Sequence, residues 1–508
     1  MIMKKNIIST IGFFIILFLV ACEGKLDLIN PNEVTSETFW RTEQDFQKAL
    51  TSCYTPLKIW NGGYYGTRGL MVRLCRADDF SYRTGVDDIY TLHMFTNSNS
   101  NSVVTNLYSY FYAGIYRANL ILEKLEEIDF SDDTKKQIRG EASFMRGLYY
   151  FLLAKEFGDV PIRLKASQQV KDYPLAKSAQ SDVYAQAESD LKLAAGLLPL
   201  ENSKGKPTSG AANAFLGKLY VYTEQWENAK KILEPLTKAP YTYSLVDDYT
   251  WNFDEEHEYN SESIFEIIFD SAGGTDQWDN GESANSAQGT TIAVEYAAGS
   301  LGGWYMANIY PNIMPLFLQE KTAGGEVDYR VKTSIAWNYS GCMYYKKPIQ
   351  EVLTPGELNS YWLIKYQNST TREQEVETEP SNINERVMRF ADVLLLLAEC
   401  ELELPNGNVD TAINYINQIR TRGGNLPSYS GGHDIASVKK ELIHQRAIEF
   451  FREGERFYDL RRWGLLEQAL RDVDETRASF FDSSRHCYLP IPAKELQTNP
   501  LCTQNGTW

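Results

Sequence analysis

Apolar side chains recur at helical spacing over most of the chain. Between residues 138 and 157, Phe144, Leu148 and Phe151 lie at steps of four and three residues, which places them on one helix face. Gly158 and Pro161 follow, and such residues commonly end a helix. Comparable runs follow one another along the chain. The pattern predicts four helix pairs, at about 105–158, 180–236, 385–422 and 434–472.

Small residues within these runs indicate how the helices pack. Ala214 and Gly217 are followed by Tyr220, Trp226 and Ala229. This order resembles the tetratricopeptide pattern, in which small residues lie where two helices cross and aromatic residues anchor the second helix. Each such pair buries its apolar face only by stacking on the next. We therefore predict a mostly α fold, a tetratricopeptide-like scaffold of about four helix pairs with long irregular loops and little β structure.

The middle of the chain, residues 241–384, has a different character. Ile264–Phe269 reads as a strand, and glycine pairs punctuate the long irregular segments around it. Loops on a rigid frame are where binding residues usually lie. We divide the chain into a leader (1–21), an N-terminal region with helix pairs (22–240), a loop-rich ligand-binding region (241–384) and a C-terminal helical region (385–508).

The first 21 residues have the features of an export signal. Lys4 and Lys5 precede the apolar run Ile7–Val20, which is too short to span a bilayer comfortably. The ending Leu19-Val20-Ala21-Cys22 resembles the lipobox of bacterial lipoproteins, and this resemblance implies that the Cys22 thiol is acylated at the mature N-terminus. Simple secretion is the alternative. Since no other apolar stretch reaches spanning length, we expect the protein to be anchored to a membrane without crossing it.

Charge and motif content exclude several classes of function. The 508 residues include 50 Lys and Arg against 67 Asp and Glu, a net charge of −17, and so acidic a chain is a poor nucleic-acid binder. The sequence has no G-x-G, G-K-[ST], H-E-x-x-H or G-x-S-x-G motif, and its five His residues show no metal-ligand spacing. We therefore expect no cofactor, no metal site and no catalytic activity. Abundant acids nevertheless leave a carboxylate pair open as a rival hypothesis.

Six cysteines follow Cys22, and none forms a C-x-x-C pair. A chain this long does not need disulfide bonds to stabilise a core, so we expect buried free thiols. Oxidation after export is the alternative, with Cys487 and Cys502 as the nearest pair in sequence.

Four segments together resemble the SusD/RagB family, the surface glycan-binding lipoproteins of Bacteroidota. The first contains Leu26-Asp27-Leu28, Pro31 and Phe39–Asp45; the second is Glu262–Ile267; the third runs from Arg389 through Glu399 to Arg420; the fourth runs from Arg446 to Trp463 and is followed by Leu489–Pro492 and Asn499-Pro500. They occur in the family's order, behind a lipobox, and span nearly the whole mature chain.

The fourth segment is also interpretable from its spacing alone. Six residues at steps of four and three form one predicted helix face: Ile443, Ala447, Phe450, Gly454, Phe457 and Arg461. Three opposite-charge pairs lie three residues apart: Glu449 with Arg452, Glu453 with Arg456, and Asp459 with Arg462. If exposed, each pair would contribute about 0.2–0.5 kcal/mol. Because helical period already explains these positions, we interpret the segment as scaffold rather than as a catalytic site.

A glycan site needs flat aromatic faces with polar side chains at their edges. The family resemblance implies that loops on one side of the frame supply them. The aromatic candidates are Trp278, Trp304, Tyr305 and Trp337, and the candidate polar partners are Asp276, Asp279, Asn280 and Asn308. Tyr82, Arg83 and Asn97 are further candidates, because members of the family often contribute a ligand residue from that region. We expect burial instead for Trp251, Trp362 and Trp463, which lie beside regular apolar segments.

The resemblance implies a non-catalytic receptor at the outer membrane, lipid-anchored and facing the cell exterior. It would capture an oligo- or polysaccharide and pass it to a TonB-dependent, SusC-like transporter. One rival is a peptide-binding member of the same family, whose pocket would be deeper. Another is a glycoside hydrolase, which would need two carboxylates roughly 5–10 Å apart across a cleft. A pure interaction scaffold is the third.

Overall fold

The computed structural model describes residues 39–508, except residues 167–168, 170, 172 and 271–288. Ala49–Trp508 forms one compact unit. Cys22 and the predicted leader lie outside the described residues, so acylation remains a prediction, as does the division of the chain at residues 240 and 384.

Helices dominate the described residues, as predicted. In the first half they are α1 (Glu43–Lys58), α2 (Thr67–Cys75), α3 (Asp87–His93), α4 (Ser102–Leu125), α5 (Asp132–Phe157), α6 (Gln180–Leu197), α7 (Ser209–Tyr222) and α8 (Trp226–Leu233). The first predicted pair corresponds to α4 and α5. Each has a side-chain cap: Asn101 accepts a hydrogen bond from the amide of Val104, and Ser131 accepts one from Thr134.

Consecutive helices stack on one another from α4 to α8, and α8 then packs against the first long helix of the C-terminal half. Small residues make close crossings possible. At Gly217 of α7 a Cβ atom would lie 2.3 Å from the Leu233 side chain of α8. The tetratricopeptide-like stacking predicted from Gly217 and Trp226 is therefore confirmed.

In the second half, short helices alternate with loops up to residue 389, and longer helices begin again at Phe390. The helices are α9 (Ile292–Tyr296), α10 (Met314–Phe317), α11 (Tyr329–Ser334), α12 (Ile349–Val352), α13 (Phe390–Glu403), α14 (Val409–Arg420), α15 (Ile435–Glu449), α16 (Arg456–Arg462), α17 (Leu466–Val473), α18 (Glu475–Ala478), α19 (Ser483–His486) and α20 (Ala493–Thr498). The third predicted pair corresponds to α13 and α14, although residues 385–389 form a strand rather than a helix start.

The fourth predicted pair is wrong in one respect. The helix face drawn from Ile443 to Arg461 is not continuous, because α15 ends at Glu449 and α16 begins at Arg456. Arg452 and Gly454 between them have φ angles of 69° and 78°, in the left-handed region. A Cβ atom on Gly454 would also lie 2.9 Å from Cβ of Arg73. The glycine thus allows a turn and a close approach at once.

The β structure of the described residues consists of four antiparallel two-stranded ladders and three isolated bridges. Its strands are β1 (Phe80–Tyr82), β2 (Ser263–Ile267), β3 (Ala307–Ile309), β4 (Ile335–Ala336), β5 (Met343–Tyr344), β6 (Lys347–Pro348), β7 (Trp362–Leu363) and β8 (Glu385–Arg389). The pairs are β1 with β3, β2 with β8, β4 with β7, and β5 with β6. The strand predicted at 264–269 corresponds to β2.

A buried ion network joins α15, β8 and the middle loops. The Arg389 guanidinium lies 3.0 Å from a Glu449 carboxylate oxygen and 2.7 Å from one of Glu453, and it also bonds Glu262. Arg330 and Arg422 reach Glu449 as well, and Lys365 reaches Glu453. These charges lie in the interior, where unpaired ions are costly.

This network corrects the predicted surface pairs. Arg452 bonds Glu385 at 2.8 Å instead of Glu449, and Arg456 bonds Asp78 at 2.8 Å instead of Glu453. The pairing of Asp459 with Arg462 is present at 2.8 Å. Tertiary partners win over neighbours on the same helix because buried carboxylates bind most strongly to guanidinium groups that are themselves shielded from water.

Two further expectations concern thiols and membrane spans. The six described cysteines are all free; five are buried and Cys487 is half-buried, largely as predicted. Across residues 39–508, with the gaps given above, none of the helices combines the length and apolarity needed to cross a bilayer.

Candidate functional site

The β1–β3 ladder brings together two predicted ligand residues that are more than 200 positions apart. Tyr82 pairs with Ala307, and the amide of Arg83 donates a hydrogen bond to the carbonyl of Met306 at 3.2 Å. Arg83 therefore reaches Tyr305: its guanidinium carbon lies 4.5 Å from the centroid of the Tyr305 ring. Both residues are exposed, and Tyr305 keeps 45% of its surface accessible. The arrangement is a cation–π pair at the surface.

Tyr305 is held by backbone hydrogen bonds to α9 and the residue after it. The amides of Trp304, Tyr305 and Met306 donate to three carbonyl oxygens, those of Val294, Ala297 and Glu295, at 2.8–3.1 Å. Tyr305 itself has a φ of 39°, which is uncommon for a residue with a side chain. Such strained backbone is maintained only where the surroundings fix it, and it is frequent at ligand sites.

A polar edge lies beside the ring. The Ser300 amide donates to Oε1 of Glu357 at 3.0 Å, and the Ser300 hydroxyl donates to Oε2 at 2.5 Å. At Gly299 an added Cβ would lie 3.5 Å from both Glu357 Oε1 and Tyr305 Cδ1, so the ring and the carboxylate border the same small space. Burial opposes ionisation of Glu357, but hydrogen bonds from Ser300 and Thr354 outweigh it and hold its pKa below the ordinary value. Glu357 is thus a charged group whose Oε2 is filled by Ser300 and Thr354, whereas its Oε1 accepts only the Ser300 amide and has capacity for a further donor.

A second aromatic pair lies on the same hydrophobic cluster. Ala297, Ala298 and Leu301, beneath the Tyr305 turn, pack in one cluster with Ala336 and Trp362. Trp337 follows Ala336 directly, is half-buried, and has its ring centroid 4.3 Å from that of Tyr339. The loops carrying Tyr305 and Trp337 therefore rest on a common core.

Four residues beside this site were not predicted from the sequence. The half-buried Trp60 donates from Nε1 to Thr291 Oγ1 (3.1 Å) and to Glu295 Oε1 (3.3 Å), and the Arg68 guanidinium lies 4.8 Å from its ring centroid. Burial raises the pKa of Glu295 against the opposing charges of Arg68 and Arg83. The run Trp60-Asn61-Gly62-Gly63 has turn chemistry next to an aromatic residue and could have drawn attention to this segment.

Two predicted ligand residues are buried rather than presented to solvent, and their contact with a ligand stays a prediction. Tyr82 is 4% exposed, and its hydroxyl lies 2.5 Å from that of Tyr296. Asn97 is also 4% exposed, in a segment whose Asn99 carbonyl accepts a hydrogen bond from Ala493. Neither side chain therefore presents a face to solvent.

The remaining candidates include two described residues, Trp304 and Asn308, which are half-buried. Trp278, together with Asp276, Asp279 and Asn280, lies outside the described residues, so its predicted role stays a prediction.

Of the three tryptophans expected to be buried, Trp362 is buried and Trp463 is half-buried. Trp251 is 38% exposed and stacks on His257, with ring centroids 4.7 Å apart, so its predicted burial is wrong.

One cluster has the residue types of a metal site. Ligand atoms of Glu320, Glu441 and His444 lie within 4.8 Å of one another. Arg420, however, contacts both carboxylates, at 2.7 Å from Glu320 and closely at Glu441. Since the Arg420 guanidinium already binds both acids and their hydrogen bonds raise the pKa of His444 against its burial, the cluster is better described as an ion-pair network than as a cation site.

Comparison with known families gives matches over most of the chain. A family model described as "Starch-binding associating with outer membrane" matches residues 26–221. A second, described as "SusD family", matches residues 261–508.

Individual relatives agree with these matches. A crystal structure of a SusD superfamily protein from Bacteroides vulgatus is 51% identical, with a TM-score of 0.87, over 93% of this chain and 100% of that one. A structure described as a laminarin-binding SusD-like protein is 25% identical, with a TM-score of 0.75, over 92% of this chain and 100% of that one. SusD-like protein P25 of Formosa agariphila is 26% identical over 99% of both chains.

Proposed function

This chain belongs to the SusD family, and from that premise we propose that it binds a glycan at the cell surface. The observation that carries the proposal is the exposed Tyr305 ring beside Arg83, bordered by Glu357 and Ser300, in a family whose members include a laminarin-binding protein.

The chemistry of the Tyr305 surface suits a sugar. A pyranose ring has apolar C–H faces surrounded by hydroxyl groups, so it packs on an aromatic face and needs donors and acceptors at its rim. Arg83 supplies donors only, whereas the ionised Glu357 supplies an acceptor. Trp337 and Tyr339 would extend the aromatic surface along an oligosaccharide, and Trp278, outside the described residues, remains a further candidate from the sequence.

The proposal extends to anchoring and transport. The chain would be acylated at Cys22, associate with the outer membrane, face the cell exterior and hand its oligo- or polysaccharide to a TonB-dependent, SusC-like transporter. The lipobox and the family description of outer-membrane association support this part. A stably held lipoprotein needs more than one acyl chain, which the lipoprotein resemblance implies.

Glycan binding is tested by removing the ring. We expect Tyr305→Ala to weaken binding of the preferred neutral glycan by about 10-fold or more, because a central aromatic contact is typically worth at least 1–2 kcal/mol. Titration calorimetry of the mature chain against a panel that includes laminarin and starch oligosaccharides measures this.

Trp251→Ala is the matched control. Trp251 is an exposed aromatic residue stacked on His257, and its loss should leave glycan affinity unchanged. If no glycan in the panel binds the wild-type chain, or if Tyr305→Ala binds as well as wild type, the proposed site is wrong.

The anchor is tested separately in a Bacteroidota host. We expect Cys22→Ala to move the protein from the membrane fraction to the soluble fraction and to abolish labelling by radioactive palmitate, since no other lipid attachment is predicted.

The transporter partner is tested by co-purification. Wild-type protein should co-purify from detergent extracts with a TonB-dependent transporter. A Cys22→Ala protein that stays in the membrane fraction, or a wild-type protein recovered without a transporter, would contradict the respective part of the proposal.

A further inference from the structure

A second cleft lies on the helical part of the molecule, between α4, the segment after α5 and the C-terminal helix α20. Its volume is about 320 Å³, which is at the small end of ligand pockets in proteins. Tyr108, Tyr112 and Tyr116 line it at steps of four residues, and therefore from one face of α4. Tyr173 completes the aromatic lining. We call this feature the tyrosine cleft.

The rings of the tyrosine cleft pass from a buried floor to an open mouth. Tyr108 is 3% exposed, and its ring centroid lies 4.8 Å from that of Tyr112, which is half-buried. Tyr116 and Tyr173 are 44% and 37% exposed. A ligand entering from solvent would therefore meet two accessible aromatic faces first.

The charge of the tyrosine cleft is opposite to that of the molecule. Arg163, Lys165 and Lys494 line it against a single carboxylate, that of Glu495, which leaves two positive charges in a chain of net charge −17. Glu495 is already engaged: it accepts hydrogen bonds from the Tyr173 hydroxyl (2.6 Å) and from the Asn499 amide (2.8 Å). The two lysines are exposed. The cleft thus carries positive charge that no carboxylate in its lining neutralises.

Arg163 is placed for a planar anion. Its guanidinium carbon lies 4.4 Å from the Tyr173 centroid and 5.9 Å from that of Tyr112, so the two rings orient it. Its Nη2 is buried 3.7 Å from Glu495 and makes no hydrogen bond within the described part of the chain. An unsatisfied buried donor of this kind indicates a missing acceptor.

We infer that the tyrosine cleft is a second carbohydrate subsite, which takes a sugar unit bearing a carboxylate. The sugar ring would pack on Tyr116 and Tyr173, while the carboxylate would accept hydrogen bonds from Arg163 with Lys165 and Lys494 at its edge. This inference rests on the proposed glycan-binding function and extends it to uronic acid units. It is independent of the Tyr305 site, which has its own elements and lining.

The probes are oligogalacturonate and a neutral oligosaccharide of equal length, titrated into the mature chain. We expect oligogalacturonate to bind, and raising NaCl from 50 mM to about 500 mM to weaken it, because the interaction is between charges near the surface. Arg163→Met should reduce this affinity about 10-fold or more and leave neutral-glycan affinity unchanged. The double variant Lys165→Gln/Lys494→Gln should also reduce the affinity for oligogalacturonate. Because both positions are exposed, this variant tests the cleft even if Arg163→Met does not fold.

The Tyr305→Ala variant separates the two sites. It should keep the affinity for oligogalacturonate while losing neutral-glycan binding. Failure of the wild-type chain to bind oligogalacturonate, or equal binding by the double lysine variant, would overturn the tyrosine cleft as a uronate site, and Tyr305-dependent binding of neutral glycans would still stand. Tighter binding of poly-glutamate than of oligogalacturonate would also overturn it, because the cleft would then select an acidic peptide.

Discussion

The substitution Arg389→Met is expected to lower the free energy of unfolding by about 3–5 kcal/mol, the usual cost of removing one partner from a buried ion pair. Arg389 is 1% exposed, and its guanidinium is shared by the carboxylates of Glu262, Glu449 and Glu453. Methionine fills much of the same volume but carries no charge. Three acids would thus lose their common cation inside the molecule, where water cannot replace it.

The neighbouring cations limit this loss without cancelling it. Arg422 contacts Glu262 and Glu449, and Lys365 contacts Glu453. Each of these groups is already paired, so none can take up the full hydrogen-bonding capacity that Arg389 leaves.

The matched control is Arg471→Met, at a pair on the surface of α17. Arg471 lies 2.9 Å from Glu467, and its side chain is 46% exposed. We expect this variant to change stability by less than about 1 kcal/mol. Urea denaturation followed by tryptophan fluorescence measures both proteins under identical conditions. A loss at Arg389 no larger than the loss at Arg471 would show that the buried network contributes little to stability.

The helical frame could be predicted from sequence because its signals are local. Periods of three and four residues, the caps at Asn101 and Ser131, and the small residue Gly217 all act within a few turns of chain. The break between α15 and α16 was missed for the opposite reason. Gly454 fits a helical period in sequence, but its turn is fixed by Arg73, nearly 400 residues earlier.

The site was predicted only in part, since its geometry depends on pairing between distant segments. Arg83 and Tyr305 were both named from sequence, yet nothing local shows that β1 and β3 place one over the other. The same ladder buries Tyr82, which sequence alone could not separate from its neighbour Arg83. Trp60 was missed because its partners, Thr291 and Glu295, lie more than 200 residues away.

Arg477→Met is the second change expected to be severe, at about 3 kcal/mol or more, because it leaves the buried carbonyls of His93 and Ala77 without donors and that of Cys75 with only the His93 imidazole. Arg477 of α18 is fully buried. It donates from Nε to the carbonyl of His93 at 2.6 Å, from Nη1 to Ala77 at 2.8 Å and from Nη2 to Cys75 at 2.7 Å. Cys75 and His93 are the last residues of α2 and α3, whose terminal carbonyls have no partner within their own helices.

These three bonds also fix the backbone that leads into the Tyr305 site, since Ala77 stands three residues before β1 and β1 leads directly to Arg83. We therefore expect Arg477→Met to increase amide hydrogen exchange across residues 75–83 as well as to lower the urea midpoint, whereas Arg471→Met should change neither. Arg477→Lys should restore only part of the loss, because one ammonium group cannot match a guanidinium fork that reaches two helix ends and a loop. Unchanged exchange in this segment would mean that the three carbonyls are satisfied in another way and that Arg477 does not hold β1 in place.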